Sequence, residues 1–385
     1  MEFRLSEVER LVRQSTAELV RDVIAPAAAE TDRTCVVPEA ARQALGELGY
    51  FGASVPADMG GAEMGAIALV LALEEVARGC SSTALLLVGS NCLVVEALLR
   101  AGTPDQQKAL LPRLASGAIL GAGCLAEPDA GVNPLSFQTT VAAVGSGLRI
   151  TGRKSPAPAV AIADVFVITA AREDSGGGRV PAVVIIERTT PGLHVGPPLT
   201  LLGQRACAAA VLSFDQAEAP PSALLRGNAD AADLIHHLAA TFNLGLAAVA
   251  IGVAKAAFDS ARHYAHERRQ FGHPICDFEA IRTMIAQSGA EIEAARHLML
   301  CAAAEQEAGR PFTLLAGEAR LMASQTANRV ANRAVQIHGG YGYTKDYAVE
   351  RHYRDARLLE LWPPASEDVC ETVAAELLAA GPPGL

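Results

Sequence analysis

The sequence predicts an α+β chain in three parts. These are an N-terminal helical domain over 1–120, a middle β-barrel or sandwich domain over 121–228, and a C-terminal four-helix bundle over 229–385. Two observations carry this expectation. Apolar residues recur at helical spacing, switch to a period of two between about Gly121 and Phe214, and return to helical spacing afterwards. Half of the 385 residues are hydrophobic but only 4% are aromatic, so Ala, Leu and Val carry the core. Such side chains suit close-packed helices.

Each element has a local reason. Leu5, Val8, Leu11, Val12, Leu19, Val20 and Val23 form the first helical stripe, with Pro26 as its stop. A second helix runs from Pro38 to about Leu48, and the glycine-dense GYFGASVPADMGGAEMG is a loop. A third helix runs from about Met64 to Arg78. SSTALLLVGSNCLVVEALLRAG is the next, with Ser81 or Ser82 as N-cap and Gly102 near its C-terminus. TPDQQKALLPRLASG opens on a Thr-Pro-Asp start signal. TTVAAV, LRITG, ADVFVITA, AVVIIE and AAVLSF then read as strands. Gly176-Gly177-Gly178 is a hairpin tip, since a phosphate cradle needs a strand before it and a helix after it. Helices follow over roughly 230–268, 277–308, 312–337, 346–360 and 366–380, broken by a glycine-rich corner from Gln336 to Tyr343.

Composition narrows the function. Lys+Arg is 32 and Asp+Glu is 42, a formal net charge of −10, which provides no basic footprint for nucleic acid. No apolar run reads as a membrane span. The nearest, Leu234 to Val253, carries His236, His237, Thr241 and Asn243 and reads as a buried helix. The charged start MEFRLSEVERLVRQ lacks a signal-peptide pattern. Eight scattered cysteines make no CxxC motif and are expected to be buried free thiols, which points to a cytoplasmic protein. Cys124 and Cys207 are the two that could instead be nucleophiles.

Several ordered segments, spread over nearly the whole chain, resemble the acyl-CoA dehydrogenase family. They are GELGYFGASVPADMGG, AGTPDQQKALLPRLASGAILGAGCLAEPDAG, RRQFGHPICDFEAI and AVQIHGGYGYTKDYAVERHYRDAR. The resemblance implies FAD at a subunit interface beside an acyl-CoA thioester. It also implies a glutamate that removes the α-proton while hydride leaves to the flavin. A thioester α-proton is a weak acid, so that step needs a positioned carboxylate and hydrogen bonds to the carbonyl oxygen. The flavin supplies the hydride acceptor that no side chain can be. By position, Arg268 would pair with the FAD pyrophosphate, Gln270 and Phe271 would line the same site, and Ile275 would lie against the cofactor. Gln336, Gly339 and Gly340 would come from a neighbouring subunit.

The residues matching the flavin-ring contacts depart from the pattern. Thr-Glu-Pro is here Ala126-Glu127-Pro128, and Gly-Ser-Asp is Gly131-Val132-Asn133. The Trp and Thr of the next loop are Pro156 and Pro158, which also remove two N–H donors. The base departs as well. Trp362 takes the aromatic place, and Pro363 and Pro364 stand where the family has Glu and Gly. Some members carry the base on an earlier helix; that position is Phe242, and the Arg that usually follows is Asn243. Glu360, Glu367 and Asp368 lie near in sequence but read as solvated helix faces, Glu127 as architectural, and His338 as part of the glycine corner.

Three readings follow from the resemblance. One is an FAD-dependent acyl-thioester dehydrogenase with a displaced base. Another is an enzyme with altered chemistry on an acyl-CoA or acyl-carrier protein, either non-redox or a flavin monooxygenase. The last is a non-catalytic subunit sharing an FAD site with a catalytic homologue. A homodimer or homotetramer, or a hetero-oligomer with that homologue, is the expected assembly.

Overall fold

The computed structural model describes residues 5–128, 135, 137–173, 178–225 and 230–379. Gly176 and Gly177 of the expected hairpin tip, and Gly131-Val132-Asn133, lie outside the described residues.

The N-terminal part holds α1 (Glu7–Leu19), α2 (Ala25–Thr34), α3 (Glu39–Glu47), α4 (Ala66–Gly79), α5 (Ser81–Gly89), α6 (Glu96–Ala101) and α7 (Pro104–Ala115). Two sequence expectations fail here. Pro26 does not stop the first helix, because a π-helical turn over Val20–Ile24 joins α1 to α2. Pro26 then falls in the first turn of α2, where a missing N–H is tolerated. Neither Ser81 nor Ser82 caps α5, which follows the extended Cys80. The Ser81 hydroxyl donates to Asp355 Oδ2 at 2.8 Å, and Ser82 Oγ accepts from the Ala206 N–H at 3.3 Å. Both hydroxyls therefore tie α5 to distant segments. The Thr-Pro-Asp signal does begin a helix: Thr103 and Gln106 form a reciprocal capping box on α7.

The middle part is one seven-stranded sheet. Its strands are β1 (Gly121–Cys124), β2 (Thr140–Val144), β3 (Gly147–Ala157), β4 (Val165–Glu173), β5 (Arg179–Glu187), β6 (Leu193–Val195) and β7 (Ala210–Ala219). Their order is β1-β4-β2-β3-β7-β6. β5 pairs with β4 along its whole length, and the other edge of β4 carries first β1 and then β2, both parallel to it. Sharing one edge between two strands curls the sheet. Residues Val165–Ala171 are buried without alternation, as expected of a strand covered on both faces.

The C-terminal part contains α8 (Ala231–Glu267), the short hairpin β8 (Arg269–Gln270) and β9 (His273–Pro274), α9 (Glu279–Glu307), α10 (Thr313–His338), α11 (Val349–Leu358) and α12 (Ser366–Ala379). α10 packs on α8, α9, α11 and α12, while α8 also packs on α4. That crossing is close: a Cβ on Gly252 would lie 2.4 Å from the Glu74 carbonyl oxygen. The buried Glu74 carboxylate meets Lys255 at 2.6 Å and Arg296 at 2.8 Å beside it. Two helical stretches, Ser81–Ala101 and Ala231–Glu267, are long and apolar enough to cross a membrane, but 89% of each apolar window is buried in the fold.

Candidate active site

Two concavities lie where β1, β3, α8 and the segment after α11 meet, and a third lies at the far end of α8. The main cleft lies between the sheet and the C-terminal helices and opens to solvent. One wall is a stripe of α8, namely Ile235, His236, Ala239, Ala240 and Asn243, spaced so that they share a helix face. Facing it are Glu127, Phe137, Pro363, Pro364 and residues of α10 and α12.

A second cavity of about 290 Å³ adjoins the cleft through shared Leu125, Ala126 and Pro363. Both positions that the resemblance offers for a base, Pro363 and Phe242, line it together. The two positions thus share one cavity wall, and neither side chain can take a proton. Pro156 and Pro158 line the same cavity with Ala126 and Trp362. Its polar side chains are few. The Trp362 indole N–H is committed to Gln204 Oε1 at 2.8 Å. Burial pushes the Cys124 thiol up to about 12. Among the described side chains that line it, the Ser155 hydroxyl remains to meet a polar ring edge. A flavin ring has several polar edge atoms, and leaving them unpaired in an apolar cavity is costly. Side-chain partners for the polar edges of a flavin ring are therefore few among the described residues that line the second cavity.

Glu127 is pinned. Its Oε1 accepts from Lys154 Nζ at 2.6 Å, and its Oε2 accepts from the Gln138 N–H at 2.6 Å. The Thr139 N–H adds a contact at 3.2 Å. Burial opposes ionisation of Glu127, yet the Lys154 charge and these hydrogen bonds hold its carboxyl below the usual value. Lys154 is fully buried, donates also to Thr169 Oγ1 at 2.9 Å, and lies over the Phe137 ring. A carboxylate this saturated is an architectural clamp joining the turn after β1 to β3.

The other carboxylates are separated by the fold. Glu360 pairs with Arg357 at 3.0 Å, and Glu367 is exposed. Asp368 does line the cleft, but its Oδ2 accepts the Ala365 N–H at 3.0 Å at the start of α12.

Arg320 was not legible as a site residue. It is fully buried on α10 and reaches the wall between the two cavities. Its Nη1 donates to Asn243 Oδ1 at 2.8 Å and its Nη2 to the Trp362 carbonyl at 2.6 Å. Burial pushes its guanidinium down to about 9, opposed by the charge of Asp368. A guanidinium from α10 thus lies against the position where the resemblance has an Arg on α8. The sequence signal was an Arg among Ala316, Gly317, Ala319 and Ala323, all buried positions of one helix.

The third concavity is an open groove of about 1,100 Å³ at the far end of α8. Six of the expected cofactor residues line it in a single chain: Arg268, Gln270, Phe271, Ile275, Gly339 and Gly340. Gln336 is exposed and is not part of this lining. The resemblance draws the two glycines from a neighbour, yet here they already lie in one groove with Arg268. Phe271 and Gly272, at φ 52° and 85°, are the two turn residues of the β8–β9 hairpin. Arg268 forms no ion pair among the described residues; its guanidinium sits 5.8 Å from the Tyr341 ring centroid. His338 is stacked on Tyr264 at 4.3 Å, and its Nδ1 lies 2.8 Å from the Ala334 carbonyl. Burial lowers its pKa, so it is a neutral wall of the groove. Cys207 is buried, its thiol pushed up to about 12, and lines none of the three concavities.

Fold and site together define a class, and the chain belongs to the acyl-CoA dehydrogenase family. The family models of the acyl-CoA dehydrogenase N-terminal, middle and C-terminal domains match residues 6–118, 122–217 and 240–378. In particular, the chain is 35% identical to the probable acyl-CoA dehydrogenase YngJ of Bacillus subtilis, over 98% of this chain and 100% of that one. It superposes on butyryl-CoA dehydrogenase from Megasphaera elsdenii with a TM-score of 0.92 at 30% identity, covering 98% and 100% of the two chains. A glutaryl-coenzyme A dehydrogenase in complex with glutaryl-CoA gives a TM-score of 0.92 at 32% identity, covering 98% and 97%.

Proposed function

We propose that the chain binds an acyl thioester, as acyl-CoA or on a carrier protein, in the cleft along α8, and that its chemistry is altered. The observation that carries this reading is the shared position of Pro363 and Phe242 in one cavity wall. Both places for the α-proton base converge there, and both are apolar. General base catalysis contributes about 10²–10⁴-fold in rate, so a chain that has lost it there is not matched to ordinary dehydrogenation.

The Arg268 groove has the chemistry of a diphosphate site: a cation with no ion pair among the described residues, and two glycines at which a Cβ would meet nothing. We infer that it takes the ADP portion of FAD, held by Arg268, Gln270, Phe271 and Ile275 beside Gly339 and Gly340. Gln336, turned out of its own chain's groove, is the group offered to a neighbouring copy. The reading needs no flavin ring in the second cavity, whose described side chains give it few polar partners. A groove kept beside a dismantled ring cavity also favours a second reading, a partner subunit that completes the FAD site of a catalytic homologue. Free thiols throughout the described residues suit the cytoplasm, which we take as its compartment.

The test uses the purified full chain with added FAD and butyryl-CoA. We expect butyryl-CoA to bind, no crotonyl-CoA to form with an artificial electron acceptor, and the α-protons not to exchange with D₂O. Dehydrogenation, or α-exchange catalysed by this chain alone, would overturn the altered-chemistry reading. Absence of a flavin band after gel filtration with FAD would overturn the groove assignment.

A further inference from the structure

The main cleft is short of hydrogen-bond donors. Pro363 and Pro364 have no N–H to offer a ligand. Glu127, Asp368 and Glu376 present acceptors, and the Thr372 hydroxyl donates to the Asp368 carbonyl at 3.1 Å. The side-chain donors that remain are those of His236, Thr313 and Asn243. Of these, Asn243 is the one whose orientation is set by chemistry. A guanidinium has only donors, so Arg320 can meet only the amide oxygen, at 2.8 Å. The NH₂ group is therefore turned away from Arg320, and among the described residues it has no acceptor. Asn243 lines the cleft, beside Phe242 and across from Pro363, at the junction with the second cavity.

We propose that Asn243 is a specificity-determining residue whose amide NH₂ donates to the thioester carbonyl oxygen of the ligand, with Arg320 as the positioning residue behind it. This rests on the reading that the cleft takes an acyl thioester. The geometry gives two reasons. Among the described residues, the side chains nearest that junction, Phe242, Ala126 and Pro363, are apolar, so a carbonyl placed on the cleft side has the Asn243 amide as its side-chain donor there. The buried Arg320 also polarises the amide it holds, and hydrogen bonds in a chain strengthen one another in a low-dielectric setting. The same guanidinium grips the Trp362 carbonyl at 2.6 Å, so the amide and the cavity wall are set by one side chain.

Isothermal titration of the full chain separates the outcomes, using butyryl-CoA and butyl-CoA, the thioether without the carbonyl oxygen. The wild type is expected to prefer butyryl-CoA by about tenfold, the worth of one well-made buried hydrogen bond. Asn243→Asp keeps the shape and its pairing with Arg320 but has no donor, and should erase that preference while still binding butyl-CoA. Arg320→Met should shrink the ratio although Asn243 remains, and Arg320→Lys should restore part of it. A merely structural role would lower both affinities alike and leave the ratio unmoved. Equal affinities in the wild type, or a preference that survives in Asn243→Asp, would overturn this inference and leave thioester binding standing. If the wild type bound neither probe, the thioester reading itself would fall, and this inference with it.

Discussion

At the scale of single residues, the buried ions decide more than the missing base does. Lys154 and Glu127 form an ion pair at 2.6 Å with side-chain exposures of 0% and 2%. Removing one partner strands the other charge, at about 3–5 kcal/mol. Glu127→Gln and Lys154→Met should each lower the urea midpoint by that order, and the double substitution should recover part of the loss. Glu127 has a folded-state pKa below the ordinary 4.5. Its contribution is therefore complete above about 4.5 and is lost as pH falls through the lowered value. Acid unfolding of Glu127→Gln should lack that component, which circular dichroism against pH would show. The thiols give a second check. Cys35 and Cys370 are exposed, whereas Cys92, Cys124 and Cys207 are buried, with burial raising their pKa. A disulfide reagent should label Cys35 and Cys370 fast and the buried three only on unfolding; fast labelling of Cys124 in the native protein would contradict this packing. Arg268 and Phe271 could be singled out because the RRQFGHPICDFEAI segment that carries the resemblance is contiguous in sequence. Arg320 was not, because its partners Asn243 and Trp362 lie 77 and 42 positions away.

Elements were legible where one local rule decides. The capping box of α7 lies within four residues of chain, and the strands announce themselves by alternation or by unbroken apolar runs. Two features escaped the local rules. Ser81 and Ser82 look like caps, but their hydroxyls serve Asp355 and Ala206. Pro26 looks like a stop, but the π turn of Val20–Ile24 carries the chain past it. The same long-range logic makes Gly252 critical. It is not a flexible point but the contact where α8 crosses α4, with Glu74 O, Ala77 Cβ and Arg78 N all within 2.9 Å of an added Cβ. Backbone atoms cannot yield as a side-chain tip can. Gly252→Ala should therefore destabilise by about 1–3 kcal/mol although alanine is the better helix former. Unfolding by urea measures this; an unchanged midpoint would mean that the two helices can part without loss.

On the scale of the whole molecule, the groove at the end of α8 leaves aromatic surface open to solvent in one chain. Phe271 is 90% exposed and Tyr343 is 92% exposed, and both belong to the segments that bound the groove. Phe271 also holds φ at 52°, a conformation costing a bulky residue of order 1 kcal/mol. Its one aromatic contact is the edge of Phe278, at 6.3 Å between ring centroids. Strain and exposure together in an aromatic side chain make sense when a second surface covers it. The net charge of −10 argues against indiscriminate association, so that contact must be local and complementary. We expect sedimentation of the 40.0 kDa chain to give a dimer or tetramer. Phe271→Asp tolerates the same backbone conformation but places a solvated charge at the contact, and should shift the mass toward the monomer without moving the thermal midpoint of the fold by more than the lost interface explains. Added FAD should oppose that shift in the wild type if the groove and its neighbour share the nucleotide. A wild-type protein that sediments as a monomer at micromolar concentration, with or without FAD, would leave Gln336 with no groove to complete and would overturn the shared site.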